Sequence, residues 1–151
     1  MHPTPAEPPP SVTRTAAVTL DDVAGDGLRF VARIGAVRVV LDNGPDAQGP
    51  TPMDALLGVL GACTAMDVIS ILRKKRQAVT GYEVLVSGER RMGEHPRVYT
   101  RIEIVHRVRG RGVSPAAVEE AVRLSDTRYC PVHAMLEPAV TITSRYEIDE
   151  E

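Results

Sequence analysis

TPMDALLGVLGACTAMDVISILRKKR, residues 51–76, decides how this chain is read. Thr51 can serve as an N-cap and Pro52 suits the first helical position. Asp54 sits in the first turn, where the positive end of the helix dipole favours a carboxylate. At the other end Arg73, Lys74, Lys75 and Arg76 match the negative end of the dipole, and Gly81 is placed to stop the helix within a few residues. From Ala55 to Leu72 the one formal charge is Asp67, so the segment predicts a long helix, apolar nearly all round and therefore buried. A membrane span needs about 20 strongly apolar residues. Gly58, Gly61, Ala62, Thr64, Asp67 and Ser70 dilute this stretch, and an ionised Asp near mid-bilayer costs on the order of 3 kcal/mol. A helix buried in protein is the better reading, and no membrane is expected as a partner.

Outward from the helix, Asp42 to Pro52 gathers Gly44, Pro45, Gly49, Pro50 and Pro52 into a loop. Before it, Thr13–Leu20, Leu28–Ile34 and Val37–Leu41 are short β-branched or apolar runs. Turn chemistry at Gly25-Asp26-Gly27 and at Gly35 separates them, which predicts a strand meander. Residues 1–12 form a Pro-rich flexible tail with too little apolar surface to offset its ordering entropy. Residues 13–151 read as one domain, since single domains cluster around 100–150 residues. Downstream, Gly81–Arg91 and Val98–Val108 read as a hairpin joined through Met92–Arg97. Ser114-Pro115 then opens an amphipathic helix that runs to near Tyr129, and Cys130-Pro131 opens a short element through Leu136. Pro138 closes it, and Val140, Ile142, Tyr146 and Ile148 mark a final strand. This order of elements is α+β rather than an alternating parallel-sheet protein.

Composition excludes several classes. With 18 basic and 20 acidic residues the chain carries a formal charge of -2, no field for holding a nucleic acid by its phosphates. One Phe, four Tyr and no Trp leave the core to aliphatic side chains. Two cysteines do not make the disulfide framework of a small secreted domain, and no secretory signal opens the chain. A cytoplasmic location is expected, where a cysteine pair tends to be catalytic or redox-sensing.

Cys63 lies midway along an apolar helix, so simple burial in the core is one reading of it. Cys130 precedes Pro131 at a helix start, where free N–H groups and the dipole stabilise a thiolate. The spacing is neither a CxxC redox motif nor a zinc knuckle, and His133 beside Cys130 would need further ligands from elsewhere; no metal is expected. An attacking thiolate and a resolving thiol need proximity in the fold alone. Asp67, one turn beyond Cys63, can accept from a Ser or Arg. His106, next to Arg107 and Arg109, reads as an exposed strand residue.

Gly49-Pro50-Thr51-Pro52-Met53-Asp54-Ala55-Leu56-Leu57, then Gly61-Ala62-Cys63-Thr64-Ala65-Met66-Asp67-Val68-Ile69-Ser70-Ile71-Leu72, then Tyr129-Cys130-Pro131-Val132 together resemble the OsmC/Ohr family. The resemblance spans about Leu28 to Ile148. It implies an intertwined homodimer with two long central helices under two sheets and active sites at the subunit interface. It further implies a peroxidase of oxidative stress defence. Cys63 would attack an organic or inorganic hydroperoxide to give a sulfenic acid, Cys130 would condense with it to a disulfide, and an external dithiol would reopen that disulfide, with no bound cofactor. The family's peroxidases hold the thiolate with an arginine from an early strand region, bonded to a glutamate at the helix start. Here Met53 stands at the glutamate position, Asp54 is the nearest acid, and Arg29 and Arg33 are the arginines of the right region. That departure supports an alternative: a non-catalytic dimeric protein that binds a small apolar ligand in the interface cleft.

Overall fold

A computed structural model describes residues 8–151. The predicted tail therefore falls mostly outside the described residues; Pro8 to Val12 are exposed and outside regular structure. The chain divides into two compact units, one up to Pro52 and one from Met53 onward.

The first unit is an antiparallel meander of β1 (Ala16–Leu20), β2 (Phe30–Ile34) and β3 (Val37–Leu41). The expected strands form with trimmed ends. Gly35 has φ +61 in the β2–β3 turn, the left-handed value that a two-residue hairpin turn requires at its first position. The register aligns Ala16, Ile34 and Val37, then Val18, Ala32 and Val39, then Leu20, Phe30 and Leu41, so one face is apolar throughout. Much of that face is open, with Val18 59%, Ile34 53% and Val37 61% exposed. In the loop after β3 the Asp42 carboxylate accepts from the backbone N–H groups of Asn43 (2.8 Å) and Gln48 (2.9 Å).

The second unit sets α1 (Pro52–Lys74) on a sheet of β4 (Ala78–Arg90), β5 (Tyr99–Arg111) and β6 (Thr141–Glu150). The strands β4 and β5 form the expected hairpin, and β6 lies parallel to β5. Between β5 and β6 run α2 (Pro115–Leu124), a π-helical turn at Ser125–Tyr129 and α3 (Pro131–Leu136). Ser114 caps α2, accepting at Oγ from the Ala117 N–H at 3.3 Å, with Pro115 in the first turn. Ser114→Ala is expected to lower the unfolding free energy by about 1 kcal/mol in a urea titration, the usual contribution of an N-cap hydroxyl.

The end of α1 differs from expectation. Gly81 does not stop the helix; it lies inside β4, at a register shift against β5. The stop comes earlier, at Arg76, whose φ of 55 is left-handed. Arg76 N–H bonds the Arg73 carbonyl and Gln77 N–H bonds the Leu72 carbonyl, each at 3.0 Å, a Schellman closure built on an arginine where glycine is usual. Lys75 also pairs with Glu120 of α2.

The burial of α1 is one-sided within this chain. Leu60, Gly61, Thr64, Val68 and Leu72 form the buried stripe. Val59, Ala62, Met66 and Ser70 form the opposite, exposed stripe, with Met66 70% open. By length and composition α1 could cross a membrane, with a mean hydropathy of 2.0; the buried stripe packs on protein. Val68 and Leu72 pack with Val108, Val113, Val118 and Val122, and Leu60 packs with Tyr99, Ile102, Ile104 and Cys130. Gly61 lets the helix come close to β4: a Cβ there would lie 2.9 Å from Val86 Cγ2.

Candidate active site

Cys63 is half-buried on α1 and packs against the Leu60, Tyr99, Ile102, Ile104 and Cys130 cluster. Cys130 is only 3% exposed and is the N-cap of α3, with φ -75 and ψ 105. Its Sγ accepts from the His133 N–H at 3.3 Å, and Pro131 follows in the first turn, as the Cys-Pro pair predicts. Both thiols are free, and their side chains interact directly. Two cysteines distant in sequence therefore share one apolar cluster.

The expectation that the helix start would make Cys130 the acidic thiol is overturned. Burial pushes its pKa up to about 11, and the neighbouring Cys63 pushes it further the same way. The N–H groups of His133 and Val132 pull it down without compensating. Desolvation wins because a short α3 offers two N–H groups against near-complete removal from water. Cys130 is a neutral thiol at neutral pH.

Asp67 accepts from Ser125 Oγ at 3.0 Å, the kind of partner expected for it. Ser125 Oγ lies 2.8 Å from Thr64 Oγ1. A serine has one hydroxyl proton, and Ser125 gives it to Asp67, so Thr64 donates to Ser125. Thr64 and Ser125 are fully buried. Beyond this chain the π turn closes with the Cys130 N–H on the Ser125 carbonyl at 2.9 Å. His133 Nδ1 faces Asp126 Oδ1 at 3.2 Å, within ion-pair distance but off the line of a hydrogen bond. Burial holds the Asp126 carboxyl above its ordinary value, with Ser144 and His133 opposing. Among the described residues no cluster of three or more His, Cys, Asp or Glu side chains could hold a metal ion.

Asp54 borders an open groove of about 450 Å3 lined by Leu57, Gly58, Gly61, Ala62, Val84 and Val86. Arg29 pairs with Asp21 at 2.7 Å, and Arg33 lies across from Arg38 in the β2–β3 register, all within the first unit. His106 is a correction: it is fully buried, not exposed. Its Nδ1 lies 2.7 Å from the Tyr82 hydroxyl, and its Nε2 has no partner. Burial lowers its pKa to about 4. Thr64 and Ser125 were missed from the sequence, although Thr64 falls at helical spacing between Leu60 and Val68, a polar residue on the core stripe.

Residues 44–145 match the family described as OsmC-like protein. This chain belongs to the OsmC-like family. Protein YhfA of Escherichia coli strain K12 is 42% identical over 124 residues, covering 82% of this chain and 92% of YhfA. A hypothetical protein from Aquifex aeolicus VF5 superposes with a TM-score of 0.82 at 30% identity, covering 93% of this chain and 99% of that one. An organic hydroperoxide resistance protein from Elizabethkingia anophelis superposes with a TM-score of 0.66 at 10% identity, covering 93% and 99%, a likeness of fold. The α+β fold is thus that of OsmC-like structures, and in this chain its second unit sets α1 on β4–β6.

Proposed function

We propose that this OsmC-like chain is a thiol-dependent hydroperoxide reductase, with Cys63 as the peroxidatic and Cys130 as the resolving cysteine. The observation that carries the reading is the meeting of two free thiols in one apolar cluster, with the Cys130 thiol held protonated by burial. The Cys63 thiolate attacks one peroxide oxygen, the O–O bond breaks, and an alcohol leaves with a proton, so that Cys63 becomes a sulfenic acid. Cys130 then attacks the Cys63 sulfur. The S–S bond forms, the S–O bond breaks, and hydroxide leaves as water with the Cys130 proton. An external dithiol reduces the disulfide and is itself oxidised, so one hydroperoxide and one dithiol yield an alcohol, water and the oxidised dithiol. A neutral Cys130 suits this order, since it leaves Cys63 to react first.

The working form is a homodimer in the reducing cytoplasm. The exposed stripe of α1 and the open apolar face of β1–β3 are surfaces that a second copy covers. Sedimentation is expected to give about twice 16.3 kDa. Reduced protein titrated with an organic hydroperoxide is expected to lose both thiols of each chain and to regain both with excess dithiothreitol. Retention of both thiols would reject the reductase. The apolar lining of the groove beside Asp54 favours the second reading, a binder of small apolar ligands. That reading takes over if such ligands raise the melting temperature while the thiols stay unreactive.

A further inference from the structure

We propose that Thr64, Ser125 and Asp67 are positioning residues that hold Cys130 against Cys63 through the π turn. This inference rests on the two-thiol cycle above and assigns its second step a device. Disulfide formation demands narrow geometry, with Cα atoms about 4.4–6.8 Å apart and a Cβ–S–S–Cβ angle near ~90°. Cys63 is on a rigid helix, and Thr64 is its immediate neighbour there. Cys130 stands at the far end of the Ser125–Tyr129 turn, and its N–H returns to the Ser125 carbonyl at 2.9 Å. Whatever fixes Ser125 therefore fixes where Cys130 begins.

Ser125 is fixed twice, by Thr64 at 2.8 Å and by Asp67 at 3.0 Å. Both partners belong to the helix that carries Cys63, one residue and one turn beyond it. The hydroxyl chain is thus a directional tie between the two cysteine-bearing segments, whereas the packing of Cys63 and Cys130 with Leu60, Ile102 and Ile104 is apolar and without direction. The π turn supplies the length for this tie. An α-helix widened at this point is an uncommon arrangement that recurs at functional sites. Next to Ser125 in the turn, Asp126 faces His133, the residue whose N–H donates to the Cys130 Sγ. Apolar groups of the same shape could fill the space of the tie, but they would leave Cys130 free to rotate away from Cys63.

The test separates the two thiol steps. Ser125→Ala is expected to slow closure of the Cys63–Cys130 disulfide at least tenfold after a pulse of hydroperoxide. The rate of first attack should be unchanged, and more Cys63 sulfenic acid should be captured by dimedone. Asp67→Ala should behave like Ser125→Ala, whereas Asp67→Asn, which keeps an acceptor for the Ser125 hydroxyl, should close within about twofold of wild type. Independently of peroxide, equilibration in glutathione buffers should show the disulfide at least tenfold less favoured in Ser125→Ala and Asp67→Ala. Equal closure and equal equilibria in wild type and both alanine variants would overturn the positioning role. Equal slowing of both steps would also overturn it, since that marks a general loosening of the fold. A wild type that closes the disulfide in glutathione but ignores hydroperoxide would reject the reductase and leave the tie standing. A wild type that closes it in neither would reject both.

Discussion

Cys63→Ser is expected to bring hydroperoxide consumption in the presence of a dithiol down to the protein-free rate. The thiolate is the nucleophile in peroxide reduction, and a serine hydroxyl has no comparable anion at neutral pH. Cys130 cannot take over, because burial holds its thiol protonated, with a pKa of about 11. Cys130→Ser should fail differently: each chain consumes one equivalent of hydroperoxide and stops at a Cys63 sulfenic acid that dimedone captures. Steady-state assays coupled to dithiol oxidation, together with mass spectrometry of the trapped adduct, check both. Equal consumption by wild type and Cys63→Ser would show that any activity runs through another group.

A second large effect is expected on stability in acid. His106 is buried, and its pKa stands at about 4 against an ordinary 6.5 because desolvation disfavours the imidazolium. The neutral ring accepts from the Tyr82 hydroxyl at Nδ1, and burial, then the charge of Asp67, keeps that hydroxyl protonated. The unfolded chain binds a proton at this histidine as pH falls through 6.5, while the folded chain refuses it until about 4. Stability from the neutral ring is therefore complete above 6.5 and is lost between the two values, roughly 3 kcal/mol in all. Asp126, with its raised carboxyl pKa, acts in the opposite sense and offsets part of the loss at the low end. Urea unfolding at about pH 7 and about pH 4.5, at one protein concentration, should show the fall in wild type and a flatter dependence in His106→Leu. Parallel pH dependences would show that His106 is not the group responsible.

Much of the fold was legible because its signals are local. Ser114-Pro115 and Cys130-Pro131 start helices where expected, since each places a capping side chain and a proline at positions the helix start requires. The end of α1 was not legible, because the left-handed residue there is an arginine held by two backbone hydrogen bonds and not the glycine that usually marks such an end. His106 was misread for another reason. Alternation along β5 puts it on the face of Ile102, Ile104 and Val108, but the charges of Arg107 and Arg109 suggested exposure for the whole stretch.

The site divides along the same line. The residues 51–76 by themselves determined a long apolar helix bearing Cys63, and the Cys-Pro pair determined a capped helix start at Cys130. Tertiary structure alone decided that the two thiols meet, that Thr64 and Ser125 tie their segments together, and that burial holds the Cys130 thiol protonated. The physical reason is range. A cap depends on hydrogen bonds within four residues, whereas the acidity of a thiol depends on what water is excluded by everything packed around it.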